Sequence, residues 1–224
     1  MKGELIKAIK ERHSVRSYTE KAIPEDIKQK LIAEVAACNA EGGHNIQLIT
    51  DEPEAFTGFL AHYGKFSNVR NYIALVGKDS YDLDEKLGFL GERLVIFAQS
   101  LGLNTCWVAL TFSRKKAKIN ISGGERLVCV ISLGYGLTPG TPHKNRPIEK
   151  LCDGLEGAPE WYKTGVECAM NAPTAVNQQK FFISRNGNAV NIVATGGGRM
   201  GRVDLGIVKY NFSVGAGDNF VWEE

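Results

Sequence analysis

The sequence predicts an α+β protein, and three observations carry that prediction. Stretches with helical apolar spacing recur between short apolar runs of strand type. An Asn-Gly pair separates two such runs late in the chain, a hairpin signal. Two distant segments also look alike, each a helix of small residues leading through a turn into a strand.

Taken in order, Leu5-Ile6-Ala8-Ile9 has helical spacing and ends at the cluster Arg12-His13-Ser14-Val15-Arg16. A second helix starts at Pro24, a good first-turn residue followed by Glu25 and Asp26, and runs to about Cys38. The stretches 45–50 and 72–77 read as strands. Apolar positions at Leu87, Leu90, Leu94, Val95, Phe97 and Ala98 predict the longest helix over 84–100, stopping at Leu101-Gly102. A strand over 105–110, a short helix over 113–118 and a nearly all-apolar strand over 126–133 follow. Beyond the punctuating 153–159 stretch come a helix over 161–170, strands over 180–184 and 189–194, and a last helix near 201–213. The run Gly196-Gly197-Gly198-Arg199 lacks both the Lys-Ser/Thr of a P-loop and a dinucleotide fingerprint, so it reads as a turn before that helix.

The chain has 224 residues, enough for one substantial core or two intertwined halves. A net charge of +2 gives no reason to expect nucleic acid or an anionic membrane as partner. No apolar run is long enough to span a bilayer and the N-terminus lacks a signal-peptide core, so a cytoplasmic location is expected. Cysteines 38, 106, 129, 152 and 168 are odd in number and scattered without metal-ligand spacing. They read as reduced, mostly buried thiols.

The internal similarity pairs 34–49 with 166–182, and Gly91-Glu92-Arg93-Leu94-Val95 with Asp204-Leu205-Gly206-Ile207-Val208. It suggests two unequal copies of one unit, a long one over 1–152 and a shortened one over 153–224. Two stretches carry chemistry. Arg12-x-Ser14-x-Arg16 puts two guanidinium groups and a hydroxyl on one short segment, suited to an anionic group. Asn171-Ala172-Pro173-Thr174-Ala175-Val176-Asn177-Gln178-Gln179 is a small polar turn rich in amides, suited to a planar hydrogen-bonding ring. Together they point to a phosphorylated aromatic cofactor.

These stretches, with Gly102-Leu103-Asn104-Thr105-Cys106-Trp107-Val108 and the tail Leu133-Gly134-Tyr135-Gly136 plus 143–149, resemble the FMN-dependent nitroreductase family. The resemblance implies a mixed, mostly antiparallel sheet packed with helices, and one FMN per chain. It further implies an internal pseudo-dimer acting as a monomer or weak homodimer. It assigns Arg12, Ser14, Lys144 and Arg146 to the flavin phosphate, and Arg16 to the negative charge that reduction leaves on the ring. The stretch Thr105, Trp107, Val108, Ala109, Leu110 would lie against the ring, and Pro173, Thr174, Ala175 and Asn177 would close over its pyrimidine end or the ribityl chain. His13 is a further candidate contact. The implied activity is two-electron transfer from NAD(P)H to a nitroaromatic, quinone or enone, with no catalytic side chain because the flavin carries the chemistry. A flavin store or sensor with little turnover, and other flavin chemistry, are open alternatives.

Overall fold

The structure is a computed structural model and describes residues 2–223. It divides into two compact units that alternate along the chain. One comprises Met1–Glu11, Asp84–Arg93 and Pro142–Glu224, the other Arg12–Leu83 and Leu94–Thr141. The units follow packing and do not coincide with the proposed repeat boundary at 152/153.

The second of these is built on a four-stranded sheet. Its strands are β1 (Gln47–Ile49), β2 (Asn71–Lys78), β3 (Asn104–Val108) and β4 (Glu125–Gly134). They lie in the order β1-β2-β4-β3 and every pairing is antiparallel. Strands β2 and β4 are central and almost wholly buried, which explains their unbroken apolar character. Packed with them are Tyr18, Phe56, Phe66, Val69, Phe112 and Cys106. A second cluster joins Ile23, Leu31, Ala98, Leu103 and Leu133. Helix α2 (Glu25–Gly42) begins right after Pro24 and ends at Gly43, whose left-handed φ of 63° lets its N–H cap Asn39 O.

Two expectations need correction here. The strand expected over 45–50 is shorter, because the Asn39 side chain takes both backbone groups of Ile46: Nδ2 donates to Ile46 O at 2.8 Å and Oδ1 accepts from Ile46 N at 2.7 Å. The helix expected over 113–118 is a set of turns. In a helix Lys118 N–H would go to residue 114; here it donates to Tyr72 Oη at 3.0 Å.

The first unit contains α1 (Lys2–Glu11), the 84–93 part of a long helix α4 (Leu83–Ser100), α5 (Glu160–Met170) and α6 (Gly198–Ala216). The short helix α3 (Phe59–Tyr63) belongs to the sheet unit. A second sheet joins β5 (Phe181–Asn186), β6 (Ala189–Ala194) and β7 (Val221–Trp222). The first pair is antiparallel and β6–β7 parallel. The β5–β6 hairpin closes through Gly187-Asn188, with positive φ on Gly187 alone. That is the type II′ pattern, with the two-residue loop shifted by one from the Asn186-Gly187 pair that signals it.

Close approach of backbones, made possible by glycine, packs the helices of this unit. A Cβ on Gly206 would stand 2.0 Å from Glu85 O, and one on Gly88 2.2 Å from Val203 O. Gly215 meets Thr164 O in the same way, at 2.5 Å. Beside the α4–α6 crossing, fully buried Asp84 pairs with Arg202 at 3.2 Å and Arg199 at 3.6 Å. The run Gly196–Gly198 is a turn ahead of α6, as read from the sequence, with positive φ at all three glycines. All five cysteines are buried and none is in a disulfide. Among the described residues no helix is long and apolar enough to cross a membrane.

Candidate flavin site

The sequence-predicted residues collect into two groupings, one inside each unit. In the sheet unit, the segment 12–16 leaves α1 and runs alongside β3, the edge strand. Ser14 and Thr105 form a parallel bridge, and Val15 N–H donates to Thr105 O at 3.0 Å. The segment therefore covers ladder groups that an edge strand leaves open. Its position is locked from behind. Val15 and Tyr18 are buried, and Tyr18 Oη donates to Val15 O at 2.7 Å while sharing a hydrogen bond with Ser132 Oγ at 2.8 Å. Burial pushes the Tyr18 hydroxyl well above its usual range, so it stays a donor.

The glycines of the 134–140 stretch make room for this segment. A Cβ on Gly136 would fall 2.8 Å from Val15 Cγ1, and one on Gly140, where φ is +80°, 2.7 Å from His13 Cβ. Asn104 Oδ1 receives Gly136 N–H at 2.9 Å. Arg12 is 3% exposed, Ser14 half-buried and Arg16 exposed.

Cys106 shows what this grouping does to charge. Burial raises its thiol pKa; nearby Arg16, a hydrogen bond from Ser14, and Arg12 pull the other way without overcoming burial. The cations thus act on β3, and Cys106 remains a neutral thiol suited to packing rather than redox work. Thr105 Oγ1 is buried with no hydrogen-bond partner among the described residues, an acceptor and donor left open beside Ser14. Trp107 is half-buried and Val108 buried. The strand ends at Val108, two residues earlier than expected. Ala109 and Leu110 lie in bends, and the Leu110 side chain is 79% exposed, not packed in a strand.

In the helical unit, two motifs some thirty residues apart in sequence are stapled together. Asn177 Nδ2 donates to Lys144 O at 2.9 Å. The fully buried Gln179 accepts Arg146 N–H on Oε1 at 2.7 Å and donates from Nε2 to Asn145 Oδ1 at 2.8 Å. Arg146 Nη1 donates to Gln179 O at 3.2 Å, and His143 Nε2 lies 3.0 Å from Met170 O. The Lys144 and Arg146 side chains stay exposed.

The turn itself is strained. Val176, Asn177 and Gln179 have φ of 46°, 55° and 46°, in the left-handed region that side chains disfavour. Val176 is β-branched and 85% exposed, so burial does not offset its strain. Strain of this kind concentrates at ligand clamps and switch segments.

Two residues of this grouping escaped assignment from sequence. Gln179 belongs to the amide-rich stretch that carries the family resemblance, but the sequence assigns it no contact. Asp204 was legible only as part of the repeat, yet it sits under the turn: both carboxylate oxygens lie 3.0 Å from Ala175 N, which donates to them. The available signal was its position as an isolated carboxylate in the apolar run Val203-Asp204-Leu205-Gly206-Ile207-Val208. Its surroundings push its pKa up to about 6, mainly by burial, with the Ala175 amide opposing.

Comparison with known proteins decides the family. The model of the family described as "Putative TM nitroreductase" matches residues 4–216. The chain belongs to that family. A crystal structure of "a putative nitroreductase" from Thermotoga maritima is similar at 25% identity, with a TM-score of 0.67. That match covers 94% of this chain and 82% of that one. A nitroreductase-like protein from Streptococcus mutans shares the fold at 11% identity and a TM-score of 0.55, over 68% of this chain and 98% of its own. A "putative nitroreductase" from Desulfovibrio desulfuricans, solved in complex with FMN, aligns at 16% identity and a TM-score of 0.50, over 65% and 93%. No curated protein matches. The α+β nitroreductase-like fold expected from the sequence is therefore the fold of this family member, and the shorter neighbours leave about a third of the chain unmatched.

Proposed function

We propose that this chain is an FMN-dependent oxidoreductase that takes reducing equivalents from NAD(P)H and passes them to a small-molecule acceptor. A nitroaromatic, a quinone or an enone is the acceptor class the reading favours. The observation that carries it is the gathering of separated motifs into two donor groupings: Arg12, Ser14 and Arg16 along β3, and Lys144 and Arg146 stapled to the strained turn 173–179. Family membership and the FMN complex of the Desulfovibrio desulfuricans protein support it.

The donor set suits the cofactor. A flavin phosphate needs charge-assisted donors, and Arg12, Ser14, Lys144 and Arg146 are of that kind. Buried Thr105 Oγ1, with its hydrogen-bonding capacity unused, is the sort of atom a ligand satisfies. When bound, FMN would supply the two-electron chemistry, so the protein needs no nucleophile. Arg16 would offset negative charge on the ring, and the backbone of 105–110 would lie along it. Pro173, Thr174, Ala175 and Asn177 would hold the pyrimidine end or ribityl chain, and His13 is an additional contact. We take the protein to bind one FMN, as an internal pseudo-dimer working as a monomer or weak homodimer in the cytoplasm.

Titration of the apo-protein with FMN tests the reading. Arg12→Ala and Arg146→Ala are each expected to weaken binding by roughly 1.5–3 kcal/mol, about 10- to 150-fold. Unchanged affinity in both variants would remove the phosphate assignment. Anaerobic addition of NADH or NADPH should then bleach the bound flavin rapidly; a flavin that stays oxidised would mean a binding protein rather than an enzyme.

A further inference from the structure

A buried carboxylate outside the proposed donor set holds the turn in place. Asp204, on α6, is 8% exposed, and both its oxygens receive the single N–H of Ala175 at 3.0 Å. That N–H opens the strained stretch in which Val176, Asn177 and Gln179 all adopt left-handed φ. At the other end Gln179 N–H donates to Thr174 Oγ1 at 3.0 Å, and the Gln179 side chain is tied to Asn145 and Arg146. A strained turn persists only where its surroundings over-determine it. Burying a carboxylate is unfavourable, and packing alone would be served by a neutral residue. What the carboxylate adds is a charge-assisted bond to the amide that sets the direction of the turn.

We infer that Asp204 is a positioning residue, which clamps the Pro173–Gln179 turn through Ala175 N–H in the form that receives the flavin. This inference rests on the flavin reading for its ligand, while the clamp itself is a property of the protein alone. Two readouts therefore separate them: FMN affinity of the apo-protein by fluorescence quenching, and hydrogen exchange of the Ala175 amide without flavin. Asp204→Ala should accelerate Ala175 exchange and raise the FMN dissociation constant, each at least tenfold. Asp204→Asn, which keeps one acceptor oxygen but loses the charge and the second oxygen, should fall between the native protein and Asp204→Ala in both readouts. If Asp204→Ala does not fold, Asp204→Asn carries the test: faster Ala175 exchange than in the native protein supports the clamp, and native exchange overturns it. Unchanged exchange in Asp204→Ala would overturn the clamp. Faster exchange with unchanged FMN affinity would overturn its role in binding. Failure of the native protein to take up FMN would overturn the flavin reading, leaving the exchange result to decide the clamp.

Discussion

Gly206→Ala is expected to lower the stability of the protein by about 3 kcal/mol or more. The added methyl would lie 2.0 Å from Glu85 O and 2.6 Å from Phe89 N, both backbone atoms of α4. A flexible side chain could swing aside, but a helix backbone cannot, so the two helices must separate along the crossing. Separation also loosens the neighbouring Lys209–Glu85 and Arg202–Asp84 pairs. Gly88→Ala, facing Val203 O at 2.2 Å, should act alike. Gly3→Ala is the control: a Cβ there meets nothing within 4 Å, and in helix α1 alanine should be neutral or gain roughly 0.5–1 kcal/mol. Urea unfolding midpoints decide the matter, and a native midpoint for Gly206→Ala would mean the helices do not approach so closely.

The second large effect depends on pH. Asp204 titrates near 3.8 when unfolded and is pushed up to about 6 in the folded protein, mainly by burial. The folded state therefore holds this proton more tightly. The stability linked to it is fully present below about 3.8 and is lost as pH rises through about 6. At 1.36 kcal/mol for each pH unit between the two values, the loss is about 3 kcal/mol by neutral pH. Asp204→Asn lacks this titration. The stability difference between the native protein and Asp204→Asn should thus shift in favour of the variant by about 3 kcal/mol from pH 3.5 to pH 7. Denaturant unfolding of both proteins across that range measures it, and a constant difference would show that the carboxylate is not held in a desolvated site. A group that weakens the fold at neutral pH yet grips a strained turn fits a residue kept for function.

Much of this was legible in the sequence, for identifiable reasons. Strong 3.6-residue periodicity located α4 and α5, and continuous apolar runs located β2 and β4, because burial on those elements leaves few other patterns. The Arg12–Arg16 and Asn171–Gln179 stretches stood out because dense functional groups on short segments are rare. What escaped depends on contacts between residues far apart in the chain. Tyr72 Oη draws Lys118 N–H out of the expected helix, and Asn39 shortens β1. The clamping of Ala175 by Asp204 spans 29 residues and two elements, and no local pattern encodes it. The left-handed Val176 was equally hidden, since a β-branched residue is the last type that sequence reasoning would place there.

Flavin binding is read from the visible absorption spectrum of the purified protein, taken after incubation with FMN and removal of excess flavin by gel filtration. A flavin spectrum retained at about one FMN per chain is the expected result, from a donor set suited to one phosphate. Protein that elutes colourless would contradict it, leaving a nitroreductase-family fold without the cofactor chemistry proposed for it.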